Sequence, residues 1–188
     1  MKKIILLLLF AIPLSVFSQS KKSIDGFLDI PFGSDSATVK KAIEAKGGVK
    51  IDSFYKKDML GYTGFVFSGR KVLGCLIKFV DNKAYEADFT FADFSEDNAL
   101  SYYDDFSSDI TAVYGKGDFT NNFNDSNKPM RIRRLKSGSE FCKTWWLSKN
   151  KNAILLEFHP VDQSLQVLLQ YQDTELWSIY AAKRRSEL

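Results

Sequence analysis

Leu73-Gly74-Cys75-Leu76-Ile77-Lys78-Phe79-Val80-Asp81-Asn82-Lys83-Ala84-Tyr85-Glu86-Ala87-Asp88-Phe89-Thr90-Phe91 decides the fold. Leu73, Cys75, Ile77 and Phe79 occupy alternate positions; after the turn residues Asp81-Asn82, Tyr85, Ala87, Phe89 and Phe91 do the same. Lys78, Glu86, Asp88 and Thr90 fall between them. Strand side chains point alternately to opposite faces. A period of two with one wetter face therefore predicts a hairpin in an antiparallel sheet covered mainly on one side.

Outward from this hairpin the same grammar continues. Strands are predicted near 49–56, 61–68 and 71–80, then 84–92, and again near 118–124, 130–136, 141–148, 153–159 and 165–172. Turn residues such as Ser68-Gly69 separate them. Ser34 or Asp35 caps a helix whose apolar stripe is Val39, Ala42 and Ile43, and Gly47-Gly48 stops it. Ser95 caps a longer helix in which Tyr102, Tyr103, Phe106, Ile110, Val113 and Tyr114 follow helical spacing up to Gly115. Asp173 opens a last helix with Leu176, Ile179 and Tyr180 inward and Lys183, Arg184 and Arg185 at its negative end.

The order holds a repeat. Tyr85, Ala87, Phe89 and Phe91 lead through Asp93 into a helix; Leu165, Val167, Leu169 and Tyr171, each 80 positions later, lead through Asp173 into another. The class is α+β: an antiparallel sheet with helices packed on one face, built of two tandem helix-plus-strands units. Residues 19–188 form the domain, with halves 24–94 and 95–188.

Ile30-Pro31-Phe32-Gly33 before a capped helix, Val113-Tyr114-Gly115-Lys116 leaving a helix for a strand, and the closing Leu169-Gln170-Tyr171-Gln172-Asp173 resemble small exported bacterial proteins of uncharacterised function. The helix-plus-sheet duplication is similar to the β-lactamase-inhibitor-protein type of fold and to saddle-shaped folds like the TATA-binding protein. The resemblance implies architecture and no site, because fold alone does not carry function.

The amino end says where the chain goes. Lys2 and Lys3 precede an apolar tract from Ile4 that continues to Val16, and Ser18 places a small residue before Gln19. This is the order of a secretory signal over residues 1–18, too short for a permanent anchor across about 30 Å of hydrocarbon. Its removal leaves 24 basic against 23 acidic residues. A net charge near zero gives little attraction to nucleic acid, and no later apolar run predicts a membrane span. A periplasmic or secreted location is expected.

Export permits a Cys75–Cys142 disulfide; the alternative is two buried thiols acting as small hydrophobes. His159, the single histidine, shares a strand side with Glu157, and no neighbouring ligand completes a metal set. Glu86 with Asp88, and Asp104, Asp105 and Asp109, are the acidic groups available for hydrolysis, although each sits where a solvated face is expected. Arg131, Arg133, Arg134 and Lys136 read as a charged edge strand with Met130 and Ile132 inward. Trp145-Trp146 point to opposite faces, so one is left to anchor a protein, peptide or glycan partner. No catalytic, metal or cofactor motif emerges. The expected function is a non-enzymatic binding module of the bacterial cell envelope; the alternatives are a secreted hydrolase using acidic residues and an envelope assembly factor.

Overall fold

A computed structural model describes residues 22–54, 58–91, 99–122, 127–161 and 164–187. A short ribbon, β1 (Gly26–Phe27) and β2 (Ile30–Pro31), precedes α1 (Ser36–Ala45). Then come β3 (Val49–Lys50), a 3₁₀ turn, β4 (Met59–Thr63), a second ribbon of β5 (Val66–Phe67) and β6 (Arg70–Lys71), β7 (Gly74–Val80) and β8 (Lys83–Phe91). The second half has α2 (Ala99–Tyr114), β9 (Asp118–Asn121), α3 (Lys128–Lys136), β10 (Cys142–Leu147), β11 (Ala153–Val161), β12 (Ser164–Gln172) and α4 (Thr174–Ser186).

Eight strands join in one antiparallel sheet, ordered β3-β4-β7-β8-β12-β11-β10-β9. Read outward from the centre, the order is the same on both sides. Each half is a helix followed by four strands, and the halves meet at β8 and β12. There Phe89 pairs with Leu169, Ala87 with Tyr171 and Phe91 with Val167. The offset of 80 carries Phe89 onto Leu169 and exchanges the other two pairs, so the repeat seen in sequence is a local twofold centred on Phe89–Leu169.

One face of the sheet carries the core. Ile77, Phe89, Phe91, Ile154, Leu156, Val167 and Leu169 are fully buried there, each apolar side chain contributing roughly 1.5–3 kcal/mol. Val39 and Ile43 of α1, Tyr103, Phe106 and Ile110 of α2, and Leu135 of α3 close over them. The Phe106 ring lies 4.7 Å from that of Phe91, and Tyr103 stacks 4.9 Å from Phe158. Asp35 caps α1 by accepting the Thr38 N–H at 2.7 Å, a bond that lowers its own pKa; Asp173 caps α4 through Leu176 N–H at 2.9 Å. α4 adds nothing to this core. It lies against β7 and β8, where Tyr180 stacks on Tyr85 and Lys183 pairs with Asp81.

Several expectations are corrected. Residues 130–136 are helix, not an edge strand. Asn127 accepts the Met130 N–H, Pro129 sits in the first turn, and basic side chains in the last turn suit the helix dipole. Ile132 and Leu135, three apart, are the inward pair, and Met130 faces solvent. Leu73 lies outside β7 and is 49 % exposed. The strand expected at 49–56 gives way after Lys50 to the 3₁₀ turn Asp52–Phe54, and that expected at 61–68 is broken at Gly64, φ +83°. Ile179 and Val113 point outward. The Ser95 cap lies outside the described residues. Among the described residues no helix is long and apolar enough to cross a membrane.

Candidate binding cleft

Two tight hairpins and the end of a helix enclose a cleft of about 470 Å³, inside the range of small-ligand sites. The first hairpin is β1–β2, turned by Leu28-Asp29 at φ +50° and +64°. Two consecutive positive φ values define a turn that Asn-Gly normally fills. A leucine in that place is strained, and it lines the cleft. Gly26 is needed because a Cβ there would stand 2.1 Å from the Ile30 carbonyl oxygen. The second hairpin is β5–β6, turned by Ser68-Gly69 at φ +49° and +78°. The floor is the carboxyl half of α2, ended by Gly115 at φ +81°.

The first hairpin precedes the repeated units and the second is inserted between β4 and β7, a place with no counterpart between β10 and β11. The cleft is thus built where the chain departs from its own symmetry. Ile30-Pro31 of the first hairpin and Val113-Tyr114 at the end of α2 both line it.

Arg70 closes one end. Its Nη1 lies 2.7 Å from Asp109 Oδ2 and donates to the Ser68 carbonyl at 3.2 Å. The guanidinium sits 4.1 Å over the Phe106 ring and 5.6 Å from that of Tyr102, with the side chain only 17 % exposed. Such stacking and pairing hold a cation rigidly. The other end is acidic. Asp25 accepts from Ser23 Oγ and from Asn150 Nδ2 at 3.2 Å, and Asp29 has Lys46 at 3.4 Å. Burial pushes the Tyr114 hydroxyl pKa up, and the Asp25 and Asp29 carboxylates in the same lining push it further. Phe27, Phe67, Ile110 and Tyr171 supply the apolar middle.

The residues singled out from sequence are mostly elsewhere. Trp146 is core, 2 % exposed, its Nε1 without a hydrogen-bond partner among the described residues. Trp145 is half-buried on the face away from the core, opposite Leu155. Neither lines the cleft. Cys75 and Cys142 are free and buried. Four strand steps separate β7 from β10, about 19 Å, against a bridging limit of about 7 Å between Cα atoms. The bridge that export permits is absent and the alternative of two buried thiols holds; burial raises both pKa values, that of Cys142 to about 12.

Glu86 and Asp88 lie on the face away from the core, near the α4 contact, and both pair with Lys78, the Asp88 contact at 2.9 Å. Gln172 donates to Glu86 at 2.8 Å and Gln170 to Asp88 at 2.9 Å. Glu86 is only 5 % exposed, so this face is drier than its alternation implies. Burial works to lower the Lys78 pKa, yet Asp88 and Glu86 outweigh it and hold the ammonium well above its ordinary value. Of the acids singled out for hydrolysis, Asp109 reaches the cleft, where Arg70 neutralises it. His159 is exposed beside Glu157. Among the described residues no three His, Cys, Asp or Glu side chains gather to hold a metal. The sheet edges are short, two residues in β3 and four in β9.

Sequence reasoning missed Arg70, Asp25 and Asp29. The turn Ser68-Gly69 was the available signal for Arg70, but its partner Asp109 belongs to another element. No protein-family profile, curated protein or solved structure matches this chain at a significant level.

Proposed function

We propose that residues 19–188 are an exported, non-enzymatic binding module of the bacterial cell envelope, with the ligand seated in the cleft between the two hairpins and α2. The observation that carries this reading is the cleft itself: an apolar middle, a pinned guanidinium at one end and carboxylates at the other. A few fixed polar groups in an apolar concavity are what a recognition site requires. The strained Leu28 turn on its rim points the same way, because such strain collects at ligand sites. The leader over residues 1–18 supports the export half of the reading.

Titration of ¹⁵N-labelled protein with fractionated envelope extract tests the binding half. Amide shifts are expected to cluster at Gly26, Gly69 and Val113 and to weaken in Val113→Gln. Shifts confined to the Trp145 face would overturn the cleft as the site. Mass spectrometry of the native protein is expected to find Gln19 at its amino end; cytosolic protein retaining Met1 would overturn export.

A further inference from the structure

We propose that the cleft selects an uncharged, largely apolar molecule with a carbonyl oxygen, which accepts a hydrogen bond from the Tyr171 hydroxyl. This inference rests on the cleft being the binding site. Tyr171 stands on β12 and is only 6 % exposed, yet it lines the cleft. Among the described residues its hydroxyl has no hydrogen-bond partner. Nor is it sealed in the core, as the unpartnered Trp146 Nε1 is; the space it opens onto is the cleft. Its ring meets Phe89 edge-on, centroids 6.1 Å apart, and lies 6.3 Å from the ring of Phe67. Packed in this way, the phenol is held in place. A buried hydroxyl left without a partner works against the fold, so its presence calls for a reason.

The repeat supplies an internal comparison. The offset of 80 that carries Phe89 onto Leu169 also carries Phe91 onto Tyr171. Phe91 fills the matching place in the first half, fully buried 4.7 Å from the Phe106 ring, with no polar atom of its own. It does not line the cleft. The position thus packs without a hydroxyl where no cleft reaches it, and carries one where the cleft does.

The ions of the lining leave little charge for a ligand to meet. Asp109 pairs with Arg70 at 2.7 Å and Asp29 with Lys46 at 3.4 Å. Asp25 accepts from Ser23 and Asn150, with Lys22 in the same lining. A charged ligand would give up its hydration without gaining a counter-ion. Burial pushes the Tyr171 pKa up, so the hydroxyl stays protonated at physiological pH and serves as a donor. The complement of a fixed neutral donor among Phe27, Phe67 and Ile110 is an accepting oxygen on an apolar body.

Amide-shift titration of wild type and Tyr171→Phe tests the proposal with three probes. They are benzylacetone, a methyl ketone; hydrocinnamate, in which a carboxylate replaces that ketone; and ethylbenzene, which has no oxygen. Benzylacetone is expected to shift the amides of Gly26 and Gly69. It should bind Tyr171→Phe about fivefold more weakly, the net worth of one hydrogen bond. Ethylbenzene is expected to bind both proteins alike, and hydrocinnamate to bind wild type more weakly than benzylacetone does. Tyr171→Phe is expected to melt no lower than wild type, because its hydroxyl has no partner to lose. A marked fall in that melt would make the hydroxyl structural and sink the proposal. Hydrocinnamate binding as tightly as benzylacetone would overturn the preference for an uncharged ligand. If benzylacetone and ethylbenzene both shift Gly26 and Gly69 but Tyr171→Phe alters neither affinity, the hydrogen bond fails while the cleft stands as the site. If none of the three binds, the proposal fails outright, and the envelope-extract titration then judges the cleft separately.

Discussion

Glu157 shows how a single residue departs from its surface role. It sits on the face away from the core, opposite Leu168, and burial raises its carboxyl above the ordinary 4.5, with Lys143 and His159 pulling it back. A folded value above the unfolded one means the native state holds the proton more tightly. That stabilisation is complete below pH 4.5 and is lost as pH rises through the folded value. Replacing Glu157 by Gln is therefore expected to raise the melting temperature at pH 7 and change it little at pH 4, as paired thermal melts at the two pH values will show. Tyr103 is the opposite case. Buried in the core, its hydroxyl pairs with Thr144 Oγ1 at 2.8 Å and donates to the Leu156 carbonyl at 3.1 Å, so α2 is tied to two strands by one atom.

Among the elements, α4 is the weakly held one. None of its side chains is buried, and its amino end depends on the Asp173 cap. Asp173→Ala is expected to cost about 1 kcal/mol. The loss should appear in hydrogen exchange as faster exchange of α4 amides, with β8 and β12 unaffected; equal acceleration throughout the sheet would contradict it. The element scale is also where sequence reading succeeds and fails. β7, β8, β11 and β12 were legible because long alternating runs with a buried face fix type and most of the register; an irregularity between Lys78 and Phe79 shifts the β7–β8 pairing and takes Tyr85 out of the core stripe and onto Tyr180. α3 was misread because Met130, Ile132 and the intervening arginines satisfy a period of two as well as a helical turn does. The Asn127 cap and Pro129 in the first turn are the local signals that separate them, and the burial of Ile132 with Leu135 agrees. The cleft was not legible, because Arg70 and Asp109, and Asp25 and Tyr114, belong to elements that only the fold brings together.

At the scale of the whole molecule, the two halves share one core. Phe27, Val39 and Phe89 from the first and Tyr103, Leu156 and Leu169 from the second belong to a single buried cluster. Cooperative unfolding follows. Trp145 and Trp146 lie in β10 and Trp177 on α4, which rests on β7 and β8 of the first half, so tryptophan fluorescence reports β10 and the α4 contact, whereas far-ultraviolet circular dichroism reports every element. Their urea transitions are expected to coincide; a separate earlier step in the dichroism would show that the halves melt independently. Lys22 and Ser23 line the cleft, three residues after the proposed mature amino end at Gln19. An affinity handle fused ahead of Gln19 is therefore only a few residues from the ligand site and is expected to weaken ligand binding relative to a handle at the other end. Recombinant protein meant for ligand work should carry its handle after Leu188.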